Sequence, residues 1–439
     1  MEHNRVLIVG TIPYNKNTSS RAFDAYFHNW EKENMRQIFS NTKTPVKGHC
    51  GSLYQITDQR LLQRWLHRTK EVGVIFEYKD LPLDWENTDL EVGSSTVNML
   101  YKIGSKDSPL KYILRGILWR KKYWNTKKLN DWLDEFQPEC VFLAFSDDYF
   151  IPRIALYVSE KYNIPIMSCI GDDYYFNDKK SFSPFYHIYR KTYKRLIDKV
   201  FRRPGSAMYI GNKIRDKYNS EFGLNGETIY LTSDIERHPF RPVNVENPKF
   251  IYCGNIRLGR NKSLADIGYA LQKINPDYYV DVYSAEKNEE FIRVLEACPG
   301  VRFHGAVPYT EVMRLTAESD VSIIVEGFSK SDVDTTRYSL STKAADAIAS
   351  GGNIFVYGDI NCGVIEYMQG TNCAVVCTEQ ENLEKRLREL IFDQQLQKKL
   401  YERAIEVDRE DHDKEKNRSL TEKMFVDLIE DTRKKNGNK

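Results

Sequence analysis

The sequence predicts an α/β protein made of two Rossmann-like domains that face a cleft. Short apolar, β-branched runs alternate with amphipathic helical stretches along most of the chain, the pattern of parallel sheets covered by helices. The alternation stops at residues 237–248, a stretch with three prolines and no periodicity, and then starts again. We therefore expect an N-terminal domain over residues 1–240 and a C-terminal domain over residues 241–410. Residues 411–439 predict a charged helix that packs back on the N-terminal domain.

Composition limits the classes of function. The 439 residues include 64 basic and 62 acidic side chains, a net charge of +2, which disfavours a nucleic-acid-binding protein. No apolar run approaches the roughly 20 residues of a membrane span, and the apolar run at the N-terminus is too short for a signal peptide. The eight cysteines include no Cys-x-x-Cys pair, so we expect reduced core thiols. The default expectation is a cytoplasmic protein.

The N-terminal half contains one acidic strand end. Its first strand is predicted at residues 5–10, and the following loop has no Gly-x-Gly-x-x-Gly motif, so a dinucleotide site is not supported. A later strand at residues 164–169 leads into Gly171-Asp172-Asp173-Tyr174. Two carboxylates at the carboxyl end of a strand can orient a hydroxyl or act as a base, and they can equally cap a turn. Both interpretations are open.

Residues 112–136 are the most unusual stretch of this half. They combine Ile, Leu and Trp side chains with six Lys or Arg between Arg115 and Lys128. A basic amphipathic helix with aromatic residues is typical of a membrane-surface segment. A second basic stretch at residues 190–203 favours the same interpretation. The alternative is a pair of ordinary amphipathic helices, broken near Asn125, with a solvated basic face.

Residues 320–366 carry the strongest site signal. A strand at residues 321–325, a polar loop, a helix and a strand at residues 353–357 follow one another. In a parallel sheet this order places the helix N-terminus at the carboxyl edge of the strands, where ligands bind. The amides, hydroxyls and ammonium of residues 339–343 suit a phosphate, and Asp346 suits a diol, so the pair suits a nucleotide. The alternative is that these residues only cap the helix and form its first turn.

The loop after the first strand of the second domain is the other phosphate candidate. It reads Gly254-Asn255-Ile256-Arg257-Leu258-Gly259-Arg260-Asn261-Lys262 and leads into a helix. Three cations between a strand and a helix N-terminus suit a diphosphate, since Arg forks two oxygens and Lys acts as a point charge. A solvated surface loop is the alternative. Both loops belong to one edge of the same predicted sheet.

With these motifs the chain resembles the GT-B glycosyltransferases, and most of all the retaining enzymes of glycosyltransferase family 4. The resemblance covers most of the second domain and the end of the first. It rests on the loop at 254–262, on His304-Gly305 followed by Val307-Pro308-Tyr309, and on the donor signature over residues 320–352. Ser341-Thr342-Lys343 is similar to the polysaccharide-assembly branch of the family.

The sequence departs from the family at two places. The donor signature has two glutamates eight residues apart, and here Tyr338 and Asp346 stand at those positions. Ribose binding carries over to Asp346, but sugar binding by the first acid does not, and Glu326 is the nearest substitute. The family's His-Asp pair near residues 172–173 lacks its histidine here, which leaves Asp172 nearest to the transferred sugar.

The resemblance implies a retaining, metal-independent hexosyltransferase that needs no cofactor and uses a nucleotide diphosphate sugar, with UDP-sugar as the first choice. The residues it implies are Asp172, Arg257 and Lys262 for catalysis, Gly254, Asn255, Arg257, Lys262, Glu326, Tyr338, Ser339, Leu340, Ser341, Thr342, Lys343 and Asp346 for the donor, and Thr11, Asn15 and Asp173 for the acceptor side. The expected acceptor is a glycan in cell-surface polysaccharide or glycoconjugate synthesis. If residues 112–136 contact the inner face of a membrane, it is a lipid-linked glycan.

Two alternatives share the fold. A non-catalytic scaffold or regulatory subunit of a glycan-assembly complex is favoured by Tyr338 and the absent histidine, and opposed by the retained Arg257, Lys262 and Asp346. A nucleotide-sugar 2-epimerase would need histidine and acidic groups at the cleft. Only eight histidines occur in the chain, so the epimerase is the weaker alternative.

Overall fold

The computed structural model describes residues 3–12, 20–42, 44–67, 69, 71–83, 109–148, 150–178 and 181–437. The chain forms two compact units. Unit 1 comprises Met1–Tyr209, Arg215–Ile229 and Glu415–Lys439, and unit 2 comprises Ile210–Ile214 and Tyr230–Lys414. The described residues of each unit are built around one sheet with helices, which is the α/β class that the sequence predicts.

The first sheet has strands and helices in near alternation. In chain order, the described elements are β1 (Val6–Val9), α1 (Ser20–Phe27), β2 (Met35–Phe39), β3 (Ser52–Ile56), α2 (Asp58–Trp65), β4 (Gly73–Glu77), α3 (Pro109–Leu118), α4 (Lys121–Trp124), α5 (Lys127–Phe136), β5 (Cys140–Ala144), α6 (Phe150–Tyr162), β6 (Ile166–Ile170), α7 (Pro184–Phe201), β7 (Gly205–Tyr209), α8 (Asn212–Phe222) and β8 (Glu227–Thr228). The strand order is β4-β3-β2-β1-β5-β6-β7-β8, and within it β3 and β4 pair antiparallel while the other neighbours are parallel.

Both faces of this sheet are covered. In β1, Leu7 and Val9 belong to one apolar cluster, whereas Val6 and Ile8 belong to another. Successive side chains of a strand point to opposite faces, so the two clusters lie on the two sides of the sheet. A strand buried on both sides reads as a continuous apolar run, which is why β1 was recognisable in the sequence.

Residues 112–136 fold as separate short helices whose aromatic side chains face the core. Trp119, Trp124 and Trp132 are buried, and the Trp119 ring stacks on Phe150 with 4.0 Å between ring centroids. The break near Asn125 has a local cause, because the Thr126 side chain caps α5 by accepting a hydrogen bond from the amide of Leu129. The Lys and Arg side chains between residues 120 and 128 are exposed. The tryptophans are therefore core residues, and the basic face is solvated.

The sheet of unit 2 is entirely parallel among its described strands. The elements are β9 (Phe250–Cys253), α9 (Arg260–Ile274), β10 (Val280–Tyr283), α10 (Glu289–Glu296), β11 (Val301–Gly305), α11 (Tyr309–Glu318), β12 (Val321–Val325), α12 (Lys330–Thr336), α13 (Lys343–Ser350), β13 (Asn353–Tyr357), α14 (Gly363–Thr371), β14 (Val375–Cys377), α15 (Leu383–Phe392) and α16 (Gln394–Asp411). The strand order is β11-β10-β9-β12-β13-β14. Strands β12 and β13 have the bounds that the sequence predicts.

The loop predicted after β12 is partly wrong, because it contains the short helix α12. The Ser329 side chain caps this helix by accepting a hydrogen bond from the amide of Asp332, and Lys330 forms an ion pair with Asp334 one turn later. Local polar contacts of this kind give no apolar periodicity, so the helix was not visible in the sequence pattern.

The last helix, α17 (Lys414–Gly437), packs within unit 1. Met424, Phe425 and Ile429 join the apolar cluster that contains Val6 and Ile8. No helix of the described ranges is long and apolar enough to cross a bilayer. All eight cysteines are free thiols.

Candidate active site

The carboxyl edge of the unit 2 sheet gathers the side chains that suit a nucleotide. Strands β9, β12 and β13 are parallel neighbours, so the loops that follow them leave the sheet at one edge. The β9 loop begins with Gly254 and leads into α9, Glu326 follows β12 directly, and α13 begins at Lys343. Helix N-termini carry unpaired N–H groups and partial positive charge, which makes this edge suited to an anion.

Lys343 lies across the glycine of the β9 loop. A Cβ atom at Gly254 would come within 2.0 Å of Lys343 Cε, so only glycine leaves room for this path. The Lys343 ammonium lies 4.8 Å from the centroid of the Tyr252 ring, a cation–π contact. Burial, followed by the nearby charge of Arg260, lowers the pKa of Lys343 to about 8. A bound anion would favour the charged ammonium.

Arg260 and Glu326 form a nearly buried ion pair beside Lys343. Nε and Nη2 of Arg260 donate to the two carboxylate oxygens of Glu326 at 3.0 and 2.8 Å, and the side chains are 13% and 4% exposed. This bidentate contact fixes the plane of the guanidinium. Within the described ranges, Arg260 Nη1 forms no hydrogen bond, so it is available to a ligand. We call Gly254, Arg260, Glu326 and Lys343 the Arg260–Lys343 cluster.

Asp346 is buried in the first turn of α13 and is oriented by two hydroxyls. Its Oδ1 accepts a hydrogen bond from Ser233 Oγ at 2.6 Å and from the Tyr309 hydroxyl at 3.2 Å. Asp346 stands three residues after Lys343 in the first turn of α13. Burial, opposed by the Lys343 charge and reinforced by the Asp346 charge, raises the pKa of the Cys253 thiol to about 12. The Asp346 carboxylate and the Lys343 ammonium therefore both belong to the N-terminal turn of α13.

The other residues predicted for the diphosphate are solvent-exposed. Arg257 forms an ion pair with Glu286, and Lys262 lies exposed in the first turn of α9. The Asn255 side chain accepts a hydrogen bond from the amide of Arg257 at 2.7 Å. Among the three cations of this loop, Arg260 is the one with a nearly buried side chain.

Residues 338–340 line a cavity, whereas residues 341–342 directly precede α13. Residues 338–340 line a cavity of about 300 Å³ in unit 2, together with side chains of α14 and α16. Thr342 occupies the N-cap position of α13, but its side chain forms no capping hydrogen bond. The predicted hydroxyl cap is therefore wrong at this residue. Ser341 contributes its carbonyl oxygen, which accepts a hydrogen bond from the amide of Ala344 at 3.1 Å.

The acidic strand end of unit 1 has local partners. Asp173 Oδ1 accepts hydrogen bonds from the amides of Tyr175 and Phe176, and from the Tyr218 hydroxyl at 2.7 Å. These contacts give Asp173 the turn-capping geometry that the sequence left open. Asp172 is exposed.

Two residues of the loop after β1, Thr11 and Asn15, were predicted on the acceptor side. The Thr11 carbonyl oxygen accepts hydrogen bonds from the amides of Ser40 and Asn41, so this residue joins the loops that follow β1 and β2. Asn15 lies outside the described residues. In the described part of the chain, no group of three His, Cys, Asp or Glu side chains is arranged to hold a metal ion.

From the sequence, Arg260 was counted among the three cations of the β9 loop but was not chosen as a donor ligand. Ser233 and Tyr309 were missed as supports of Asp346. Arg260 had a signal, because it follows Gly259 and begins a helix, where a side chain reaches the same edge as the helix N-terminus. Ser233 and Tyr309 had none. Both meet Asp346 only through the tertiary fold.

Comparisons with known proteins identify the fold. No protein-family model matches the chain, and no curated protein is similar to it in sequence. Anabaena HepE in complex with UDP superposes with a TM-score of 0.57 at 12% identity, covering 96% of this chain and 100% of its own. WaaG, a glycosyltransferase involved in lipopolysaccharide biosynthesis, gives 0.53 at 13% identity, with 96% and 99% covered. An α,α-trehalose-phosphate synthase (UDP-forming) from Burkholderia vietnamiensis gives 0.56 at 10% identity, with 97% and 98% covered.

These similarities at low identity show the fold. The chain has the α/β fold of GT-B glycosyltransferases, with one entirely parallel sheet and one sheet that is parallel except at the β3–β4 edge, among the described strands. The fold predicted from the sequence is confirmed.

Proposed function

We propose that the protein is a glycosyltransferase that moves a sugar from a UDP-sugar to a hydroxyl acceptor. The observation that carries the proposal is the Arg260–Lys343 cluster, with the carboxylate of Asp346 one turn along the same helix as Lys343. Two cations and a helix N-terminus suit a diphosphate, and a carboxylate suits the ribose hydroxyls. HepE in complex with UDP and the trehalose-phosphate synthase named UDP-forming support uridine as the base.

The Arg260–Lys343 cluster would stabilise the negative charge that develops on the leaving UDP. The bond between the anomeric carbon and the diphosphate oxygen breaks as the acceptor oxygen bonds to that carbon and its proton is released to solvent, so the leaving UDP gains negative charge. In this proposal Arg260 and Lys343 stabilise that charge, and metal independence is part of the proposal. Arg257 and Lys262 remain proposed as further diphosphate ligands, and Asp172 as a contact of the transferred sugar. Retention of the anomeric configuration is proposed from the resemblance to glycosyltransferase family 4.

The acceptor and the cellular role are also proposals. A glycan or lipid-linked glycan in polysaccharide or glycoconjugate synthesis is supported by the similarity of the fold to WaaG. A lipid-linked acceptor implies peripheral contact of a cytoplasmic protein with the inner face of a membrane. Residues 112–136 were predicted to supply that contact. Their tryptophans are buried, so the exposed Lys and Arg side chains between residues 120 and 128 could contribute only electrostatic attraction.

A non-catalytic scaffold is the second candidate, and one observation favours it. Tyr338 stands where the family has a sugar-binding acid, and it lines a cavity with α14 and α16. Glu326, the proposed substitute, already holds Arg260. The scaffold role gives no reason to keep two cations beside a buried carboxylate.

The deciding experiment is calorimetry with UDP, GDP, CMP and dTDP on the wild type and on Asp346→Ala. We expect tight binding of UDP alone, weakened by the substitution, and release of UDP from a UDP-sugar when an acceptor is supplied. Binding without any turnover over a panel of UDP-sugars would favour the scaffold. If none of the four nucleotides binds, the proposed donor site is refuted.

Ser233 is expected to act as a positioning residue for Asp346. Ser233→Ala removes a hydrogen bond to a charged group, worth about 1.5 kcal/mol, so we expect the Kd for UDP to rise roughly 10-fold. Ser233→Thr keeps the hydroxyl and serves as the matched control. Comparison of UDP with 2′-deoxy-UDP separates positioning from general destabilisation, since a misplaced Asp346 reduces the preference for the ribose hydroxyl. An unchanged preference would show that Ser233 has only a structural role.

A further inference from the structure

Helix α7 in unit 1 presents two contrasting faces. Tyr189, Tyr193, Ile197 and Val200 are buried on one side. On the opposite side, exposed residues follow one another at spacings of three or four, which places them in one row along the helix. They are Ile188, Lys191, Arg195, Lys199 and Arg202. We call this row the α7 stripe.

The cations of the α7 stripe have no acidic partner among the described residues. Within the described ranges, Lys191, Arg195, Lys199 and Arg202 form no ion pair. The neighbouring Lys194, off the stripe, is paired with Asp178. Four unpaired positive charges on one side of a helix create a local anion-attracting surface in a protein whose net charge is only +2.

The N-terminal end of the stripe is apolar. Phe182 is 108% exposed, Phe185 43% and Ile188 54%. Single exposed apolar residues are common on protein surfaces, but three within seven residues at one helix end form a patch. Aromatic and aliphatic side chains beside a row of cations are the pattern of a helix that lies in a membrane interface.

A depression lies along the same helix. Its volume is about 330 Å³, and its walls are Thr192, Arg195, Leu196, Asp198, Lys199 and Arg202. Asp198 is its acidic member, and this carboxylate accepts a hydrogen bond from the Tyr175 hydroxyl at 2.8 Å. Three cations around a shallow depression suit a phosphate-bearing headgroup.

We propose that the α7 stripe docks unit 1 onto a bilayer containing anionic phospholipid, with Phe182, Phe185 and Ile188 inserted among the lipids. The cations would then contact phosphate headgroups. A purely polyanionic partner would leave the apolar end without a role, and an apolar protein partner would leave the four cations without one. The inference deepens the proposed transfer to a lipid-linked acceptor and rests on that function for its purpose, while the surface itself is defined by α7 and the residues at its two ends.

The test is sedimentation of the full chain with vesicles of phosphatidylcholine, alone or mixed with phosphatidylglycerol. We expect binding to the mixed vesicles, weakened by salt, and little binding to phosphatidylcholine alone. Lys191→Gln combined with Arg195→Gln should lower the partition coefficient roughly 30-fold, and Phe182→Ser combined with Phe185→Ser roughly 10-fold or more. UDP binding of each variant, measured by calorimetry, should stay unchanged, so failure of docking and failure of the proposed function are separate results.

Matched controls come from exposed residues of unit 2. Phe392→Ser, and Lys398→Gln combined with Lys399→Gln, remove the same chemistry from another surface and should leave vesicle binding unchanged. Loss of binding in the α7 variants alone supports the proposal. The absence of wild-type binding to mixed vesicles at low salt would overturn it. So would binding that depends on the cations but not on Phe182 and Phe185, which would indicate a polyanion site.

Discussion

Arg260→Met is expected to abolish most of the affinity for UDP and to destabilise unit 2 at the same time. The guanidinium is the buried cation of the β9 loop, and a hydrogen bond to a charged group contributes about 1.5–3 kcal/mol, so the Kd for UDP should rise roughly 10- to 150-fold. The substitution also leaves the Glu326 carboxylate, 4% exposed, without its partner. Removal of one member of a buried pair costs about 3 kcal/mol of the free energy of unfolding.

A double variant separates the two effects. In Arg260→Met combined with Glu326→Met, no unpaired charge remains, so the free energy of unfolding in urea should recover much of the loss. The affinity for UDP should stay low, because the phosphate ligand is still absent. Recovery of UDP affinity in the double variant would show that Arg260 only balances Glu326. Arg293→Ala removes an exposed helical arginine paired with Glu289 and serves as a control with little expected effect.

The same series tests the residues that the sequence favoured. Arg257 is paired with Glu286 at the surface, and Lys262 is exposed, so each single substitution to Ala should raise the Kd for UDP by less than Arg260→Met does. A larger effect at Arg257 than at Arg260 would favour the sequence-based assignment of Arg257 as the main diphosphate ligand. The comparison needs only the UDP calorimetry of the same purified set.

The fold was predictable because its signals are local. Strands such as β12 and β13 have four apolar side chains among five residues and are buried throughout, which is the pattern of a strand in a parallel sheet covered on both faces. The helix α12 was not predictable from apolar periodicity, since a capping serine and one ion pair stabilise it. The tryptophans of residues 112–136 illustrate an ambiguity instead, because aromatic residues on a basic helix suit a membrane and a core equally well in sequence.

The site was predictable only as far as topology determines it. A helix that follows a parallel strand begins at the carboxyl edge, which is why Lys343 and Asp346 were singled out. The choice among the three cations of the β9 loop depends on contacts distant in sequence. Gly259, with φ 75°, is the N-cap of α9, so the helix begins at Arg260. The Arg260 side chain then donates a hydrogen bond to Glu326, which lies 66 residues further along the chain. The hydrogen bond between Ser233 and Asp346 joins residues 113 positions apart, so no local sequence pattern predicts it.

The affinity for UDP is expected to fall as the pH rises through about 8, because Lys343 must be charged to bind a diphosphate. Burial and the Arg260 charge lower the pKa of Lys343 to about 8 in the free protein, and Glu326 and Cys253 are the other titratable groups acting on it. A bound diphosphate raises that pKa again, so binding takes up a proton. The affinity for UDP is therefore highest below about pH 8 and decreases above it, by about tenfold between about pH 7 and about pH 9.

Lys343→Arg is the variant that isolates this effect. Arginine stays protonated over the whole range, so the affinity of this variant should be independent of pH, whatever its absolute value. Lys343→Met should bind roughly 10- to 150-fold more weakly and should also show no pH dependence. Calorimetry of the wild type at about pH 8, in buffers that differ in ionisation enthalpy, should report the uptake of about half a proton. A pH dependence that persists in Lys343→Arg would assign the titration to another group and remove Lys343 from the diphosphate site.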